Sequence, residues 1–268
     1  MAEVVSERST VALLQQSIGN RAVAGLLGGR APTARLARLI ERAPDSSPAV
    51  TPGGTATAGG PAKKAPPAEE TAMMAALGSM GAGGQHALQI LNQYGISLVW
   101  VKTGAASFDG GSSCTISSTL AAGVAAGYFV HEMYHVEQKK TGASPDADAT
   151  SVQARTADDS TRARLKKEYV DRMVTEEIEG TVKGYEARLG RPGPLMPGEE
   201  KYRSTYDYWI KAGKSDAEAK AMGHRRVELM LRPTDGTWPD LAPSQLESYE
   251  MYYKRLWNTA NPPGAPTP

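Results

Sequence analysis

The stretch Ala126–Lys140, AGYFVHEMYHVEQKK, decides how this chain is read. An apolar run ends abruptly in His131, Glu132 and His135. The preceding turns, LAAGVAAGYFV, are apolar or small on every side, the pattern of a helix buried all round. Buried imidazoles and carboxylates require partners, so burial alone does not explain these three groups. Two of the chain's four histidines fall within five residues of each other.

The spacing His131-Glu132-Met133-Tyr134-His135 is H-E-x-x-H. Residues i and i+4 share one helix face, so both imidazoles can reach one ion. Zinc accepts neutral imidazole nitrogen at about 2.0–2.1 Å. Glu132 is rotated aside by roughly a third of a turn. From there it can take a proton from metal-bound water, whose pKa the ion has lowered.

Two histidines leave a catalytic zinc site one protein ligand short. A third histidine ten residues after the first, behind a glycine at seven, is one known solution; here those positions hold Thr141 and Gln138. The alternative is a glutamate from a later helix. The segment RARLKKEYVDRMVTEEIEGTVKGYEARLG offers Glu168, Glu176, Glu177, Glu179 and Glu186. Its apolar stripe is Val170, Val174, Ile178, Val182, Tyr185 and Leu189. At about 100° per residue, Glu176, Glu179 and Glu186 fall away from the stripe. Glu177 flanks it, on a small face with Met173, Gly180, Thr181 and Gly184 that another helix can approach closely. Glu177 is the expected third ligand, with Glu176 its rival.

H-E-x-x-H followed by a glutamate on a later helix resembles the gluzincin metallopeptidases. In many of them the ligand glutamate is followed by a small residue three places on and an aspartate four places on. Gly180 fits the first position and Thr181 departs from the second, where the aspartate would orient the first histidine. Extended to HEMYHVEQ, the motif resembles metallopeptidase-like proteins associated with bacterial extracellular contractile injection systems. The N-terminal LLQQSIGNRAVAGLL is similar to a short segment near the start of such proteins. The resemblance implies a zincin-like fold, Zn2+ as cofactor, peptide-bond hydrolysis, and a role as effector or cargo of an injection particle. In zincins an edge strand ahead of the metal helix pairs with extended substrate; Cys114, Thr115 and Ile116 in CTISS lie in the corresponding place. His224 and Tyr206 are candidate transition-state stabilisers, with Tyr202 and Tyr208 as further donors. His86 reads as a surface or cap histidine. A lone cysteine in a strand reads as a small buried hydrophobe rather than a nucleophile.

Working outward from the motif, a helix is predicted over Thr119–Lys140, capped by Ser118 or Thr119, with Lys139 and Lys140 at its negative end and Gly142 as its stop. Upstream, ETAMMAALGSM and QHALQILNQYG read as helices, the second closed by Gly95. ISLVWV reads as a strand, and SFDGGSSCTISS as a turn followed by a strand at Cys114–Ser117. Downstream, a long helix runs from about Thr161 to Leu189. Two more helices open with capping boxes, Ser215 with Glu218 and Ser244 with Glu247. The fold class is α+β, a mainly helical domain with a small sheet.

Composition divides the chain. Residues 1–42 read as a leader of two short amphipathic helices. Residues 43–70, rich in Pro, Gly, Ala, Ser and Thr, read as a disordered linker that cannot bury enough surface to order itself. Residues 71–258 form the globular domain, and 259–268 a disordered tail. Of the 268 residues 40% are hydrophobic and 22% charged, with a net charge of +1, which argues against nucleic-acid binding. One cysteine allows no internal disulfide. There is no signal-peptide pattern and no apolar run long enough to span a membrane. The expected setting is the cytoplasm of the producing cell, with export by an injection system, docking to its components through the leader, and a protein or peptide substrate. The competing function is a non-catalytic structural or packaging component that keeps the fold. An intact Glu132 favours the enzyme, since packing has no use for a carboxylate there.

Overall fold

A computed structural model of the chain describes residues 67–151, 153–154, 157–232 and 249–262. The leader, the linker up to residue 66, the Ser244–Glu247 capping box and the tail from 263 lie outside the described residues. Two helices come first, α1 (Ala68–Ser79) and α2 (Gly81–Tyr94). Strands β1 (Ser97–Val101), β2 (Ala106–Phe108) and β3 (Ser113–Ser117) follow, then α3 (Ala122–Lys140) and a 3-10 helix (Pro145–Thr150). The remaining helices are α4 (Asp159–Ala187), α5 (Glu199–Lys211), α6 (Asp216–Leu231) and α7 (Tyr249–Ala260). The fold is mostly helical with a small three-stranded sheet, the α+β class expected.

The helix α1 begins at Ala68, inside the segment read as linker, and buries Met73 and Leu77 completely. Gly95 ends α2 in the left-handed conformation, φ 60°, as its sequence position required. The start of α3 differs from expectation. Its N-cap is Ala121, with no side-chain cap, because Ser118 Oγ donates instead to the Val101 carbonyl (3.0 Å) and Ser117 and Thr119 bond each other (2.9 Å). Those hydroxyls close the turn between β3 and α3. Asp158 caps α4 by accepting from the Thr161 amide, and Ser215 and Glu218 form the capping box of α6.

Helix α3 lies between two cores. Its residues Ala125, Ala126, Phe129, Val130, Met133 and Val136 pack with α1, α2 and the sheet. Its opposite side meets α4, whose own stripe joins α5, α6 and α7 through Tyr185, Tyr202, Val227, Tyr253 and Trp257. That two-sided burial is why the sequence is apolar all round.

Glycines set how closely α3 and α4 approach. A β-carbon on Gly184 would lie 2.8 Å from the carbonyl oxygen of Gly127. One on Gly127 would lie 2.4 Å from the Arg188 side chain, which crosses α3 there. Arg188 is buried and paired with the fully buried Glu199 at 2.8 Å. Glu199 also accepts from the Met196 amide (2.7 Å) and from Arg203 (2.7 Å), tying the end of α4 to the start of α5. No described helix is long and apolar enough to cross a membrane.

Candidate metal centre

The face of α3 that carries His131 and His135 turns toward α4. Nε2 of the two rings lie 3.0 Å apart. Oε2 of Glu177 lies 3.4 Å from each of them. Donors about 2.0–2.1 Å from a tetrahedral ion stand ~3.3 Å apart, so the three atoms form a triangle of the size one ion requires. All three side chains are buried, and the two-imidazole, one-carboxylate donor set is compatible with a metal site.

The far nitrogens of both rings are occupied. His135 Nδ1 meets Glu176 Oε1 at 2.7 Å. His131 Nδ1 faces Thr181 Oγ1 at 3.5 Å, a longer and weaker contact than that of His135 with Glu176. These contacts leave both Nε2 atoms aimed at the centre. Glu176, the rival ligand, is therefore a partner of His135 instead. One residue along the helix turns its carboxylate about 100° away from the triangle, and it is buried rather than solvent-facing. Its Oε2 is buried with no protein partner. Gly180 lets α4 pass close to this ring, since a β-carbon at that position would lie 3.2 Å from His131 Nδ1.

Glu132 stands beside the triangle. Its Oε2 accepts the Phe108 backbone amide at 2.7 Å, and its Oε1 lies 4.0 Å from His131 Nε2. Strand β2 pairs with β3 with Ser107 opposite Thr115, and Ser117 and Asp109 donate to carbonyls across the pair. The alternation turns the Phe108 N–H away from β3, where Glu132 meets it. The surrounding field is negative. Burial, then Glu132, raises the pKa of Tyr128, one turn earlier on α3. Burial and then Glu179, Glu176 and Glu137 push Tyr134 up to about 12. Both phenols are therefore protonated at neutral pH.

A cleft of about 190 Å³ opens beside His135 and Glu176. Phe108, Asp109 and Gly110 line one side; Lys139, Ser144 and Asp146 line another; Met173, Tyr252, Tyr253 and Leu256 complete it. Lys139 and Asp146, both in its lining, pair at 3.2 Å.

Three sequence expectations change. The strand containing Cys114, Thr115 and Ile116 is the centre of the sheet, parallel to β1 and antiparallel to β2. Both its edges are used, so it offers none to a peptide; the edge strand against α3 is β2, whose three residues are too short to show a period. His224 does not line the cleft; its Nε2 bonds Glu179 at 2.8 Å. Tyr206 does not line it either, and donates to the exposed Asp216 at 2.8 Å. The sequence reading missed Tyr253, whose hydroxyl donates to Oε1 of Glu177 at 2.5 Å. The only sequence signal was the spacing of Tyr249, Tyr253 and Trp257, which marks a buried helix face and not a bond.

The chain matches no protein-family model, no curated protein and no solved structure.

Proposed function

We propose that this chain is a zinc-dependent peptidase of gluzincin type, with His131, His135 and Glu177 as metal ligands and Glu132 as general base. One observation carries the reading: a convergent His–His–Glu donor set has a second carboxylate, that of Glu132, held just outside it. Zinc, when bound, supplies a Lewis acid that lowers the pKa of water and polarises a carbonyl. The remaining work belongs to the chain. The Phe108 amide fixes one oxygen of Glu132, which leaves the other directed at the place where water is deprotonated. The same carboxylic acid then returns its proton to the departing amine. Glu176 and Thr181 hold the two imidazoles in the tautomer that presents Nε2. The cleft beside His135, which Phe108 of β2 also lines, receives the substrate.

The cellular role rests on the resemblance of HEMYHVEQ and of the N-terminal segment. In this reading the protein is made in the cytoplasm, packaged as effector or cargo of a contractile injection particle through residues 1–42, and acts on a protein substrate.

The decisive experiment is Glu132→Gln, assayed for cleavage of unfolded protein mixtures and for metal content. The variant keeps its zinc and fold and loses on the order of 10²–10⁴-fold in cleavage. A wild-type protein that binds zinc but cleaves nothing supports the non-catalytic component instead. Loss of zinc in the variant would make Glu132 a ligand and overturn its role as base.

A further inference from the structure

Glu177 has two carboxylate oxygens, and Oε2 lies 3.4 Å from Nε2 of each histidine. The other, Oε1, accepts a hydrogen bond from Tyr253 on α7, a buried contact spanning 76 residues of sequence. Tyr253 is itself fixed. Its ring meets Tyr169 of α4 edge-on at 6.2 Å, and Tyr169 in turn packs against Trp257 at 5.4 Å. Asn261, just past α7, donates to the Ala149 carbonyl at 2.7 Å, and Lys166 bonds Asn258 at 2.8 Å. The last described helix is thus seated on α4 and the 3-10 helix from several sides, and the seat delivers one phenol to one carboxylate oxygen.

A carboxylate can bind an ion through one oxygen or two. A strong donor on Oε1 removes that oxygen from competition, fixes the plane of the carboxylate and leaves Oε2 as the single ligand atom. From this geometry we infer that Tyr253 is a positioning residue that locks Glu177 into one-oxygen ligation, and that docking of α7 and metal binding are thereby coupled. The inference rests on the metal-site reading above. Linkage makes the coupling reciprocal: if seated α7 tightens metal binding, metal must tighten the seating of α7 by the same factor. Neighbouring Tyr252 lines the cleft, so the same helix supplies substrate-facing surface, and its seating would reach the cleft as well.

The test uses the full chain and Tyr253→Phe, which keeps the ring and removes the hydroxyl. Zinc and cobalt affinities are measured by equilibrium titration, the cobalt absorption spectrum is recorded as a report of ligand geometry, and the thermal unfolding of the metal-free proteins is compared. The variant binds zinc about 10–100-fold more weakly, with an altered cobalt spectrum and little change in metal-free stability. Equal affinity with an identical spectrum overturns the inference while leaving the metal site intact. A wild-type protein that binds neither ion overturns the metal-site reading itself. Should Tyr253→Phe fail to fold, hydrogen exchange on the wild type decides. Zinc raises protection of the α7 amides if the coupling is real, and unchanged protection sinks it.

Discussion

Gly180 on α4 lies flat against the imidazole of His131, so close that a β-carbon there would sit 3.2 Å from Nδ1 and 3.3 Å from Cε1. An added β-carbon would make the ring give by a few tenths of an ångström, and its Nε2 would move with it. Gly180→Ala therefore separates two effects. Alanine favours the helix by up to about 1 kcal/mol over glycine, so the metal-free protein should not lose stability. Metal affinity should fall by about 10-fold or more, because a displaced imidazole misses the ion. Calorimetry of the metal-free protein together with a zinc titration checks both; undiminished affinity would mean the ring has room the structure does not show.

The glutamates of α4 should rank by what they touch. Glu177→Ala removes a proposed ligand and should abolish tight zinc binding. Glu176→Ala removes the partner of His135 Nδ1 and weakens binding by about 10–100-fold. Glu179→Ala removes a partner of His224 and leaves zinc affinity unchanged. An equal loss in the Glu176 and Glu179 variants would contradict this order.

The double variant His131→Ala, His135→Ala leaves only the Glu177 carboxylate of the three proposed ligands. Metal analysis of the purified protein should find about one zinc per chain in the wild type and none in the variant. Zinc retained at full occupancy would move the site elsewhere.

Gly184→Ala tests the approach of the two ligand-bearing helices. The new β-carbon would meet a backbone oxygen at 2.8 Å, not a flexible side chain, so α3 and α4 must part. Overpacking of this kind costs about 1–3 kcal/mol, and the separation should also weaken metal binding. Denaturant unfolding and zinc titration should both show the loss; a variant of wild-type stability and affinity would refute the close contact.

Glu199→Ala leaves the buried Arg188 guanidinium without its carboxylate partner. Removing one member of a buried pair costs about 3–5 kcal/mol. The effect should appear as a lower thermal midpoint with the zinc stoichiometry of the folded fraction unchanged, since the pair lies outside the ligand set.

Deleting residues 1–66 should leave a folded, zinc-binding protein, because every described site residue lies after that cut. Deleting residues 1–70 should be worse, because it removes the first turn of α1 and Glu70, which accepts from Trp100 Nε1 at 3.1 Å. Thermal midpoints of the two truncations, compared with the full chain, give the answer.

Local pattern in the sequence was enough to gather the buried His131, His135 and Glu177 cluster. His131 and His135 share a helix face because the helix repeat puts them there, and Glu177 could be preferred because Gly180, Thr181 and Gly184 mark a small face of its helix that another helix can approach closely. Capping at Ser215 and the left-handed stop at Gly95 were legible for the same reason: each depends on residues within one turn. What the sequence could not carry was anything set by which elements meet. The position of β3 inside the sheet depends on β2, a three-residue strand with no readable period, pairing back onto it after the turn at Asp109-Gly110-Gly111. The partner of Glu132 is a backbone amide, which every residue but proline possesses and none advertises. The role of Tyr253 follows from α7 landing on α4, and a helix face spaced at 249, 253 and 257 says only that something will cover it. Periodicity records which side of an element is buried; the identity of the neighbour on that side is decided by packing between segments far apart in the chain.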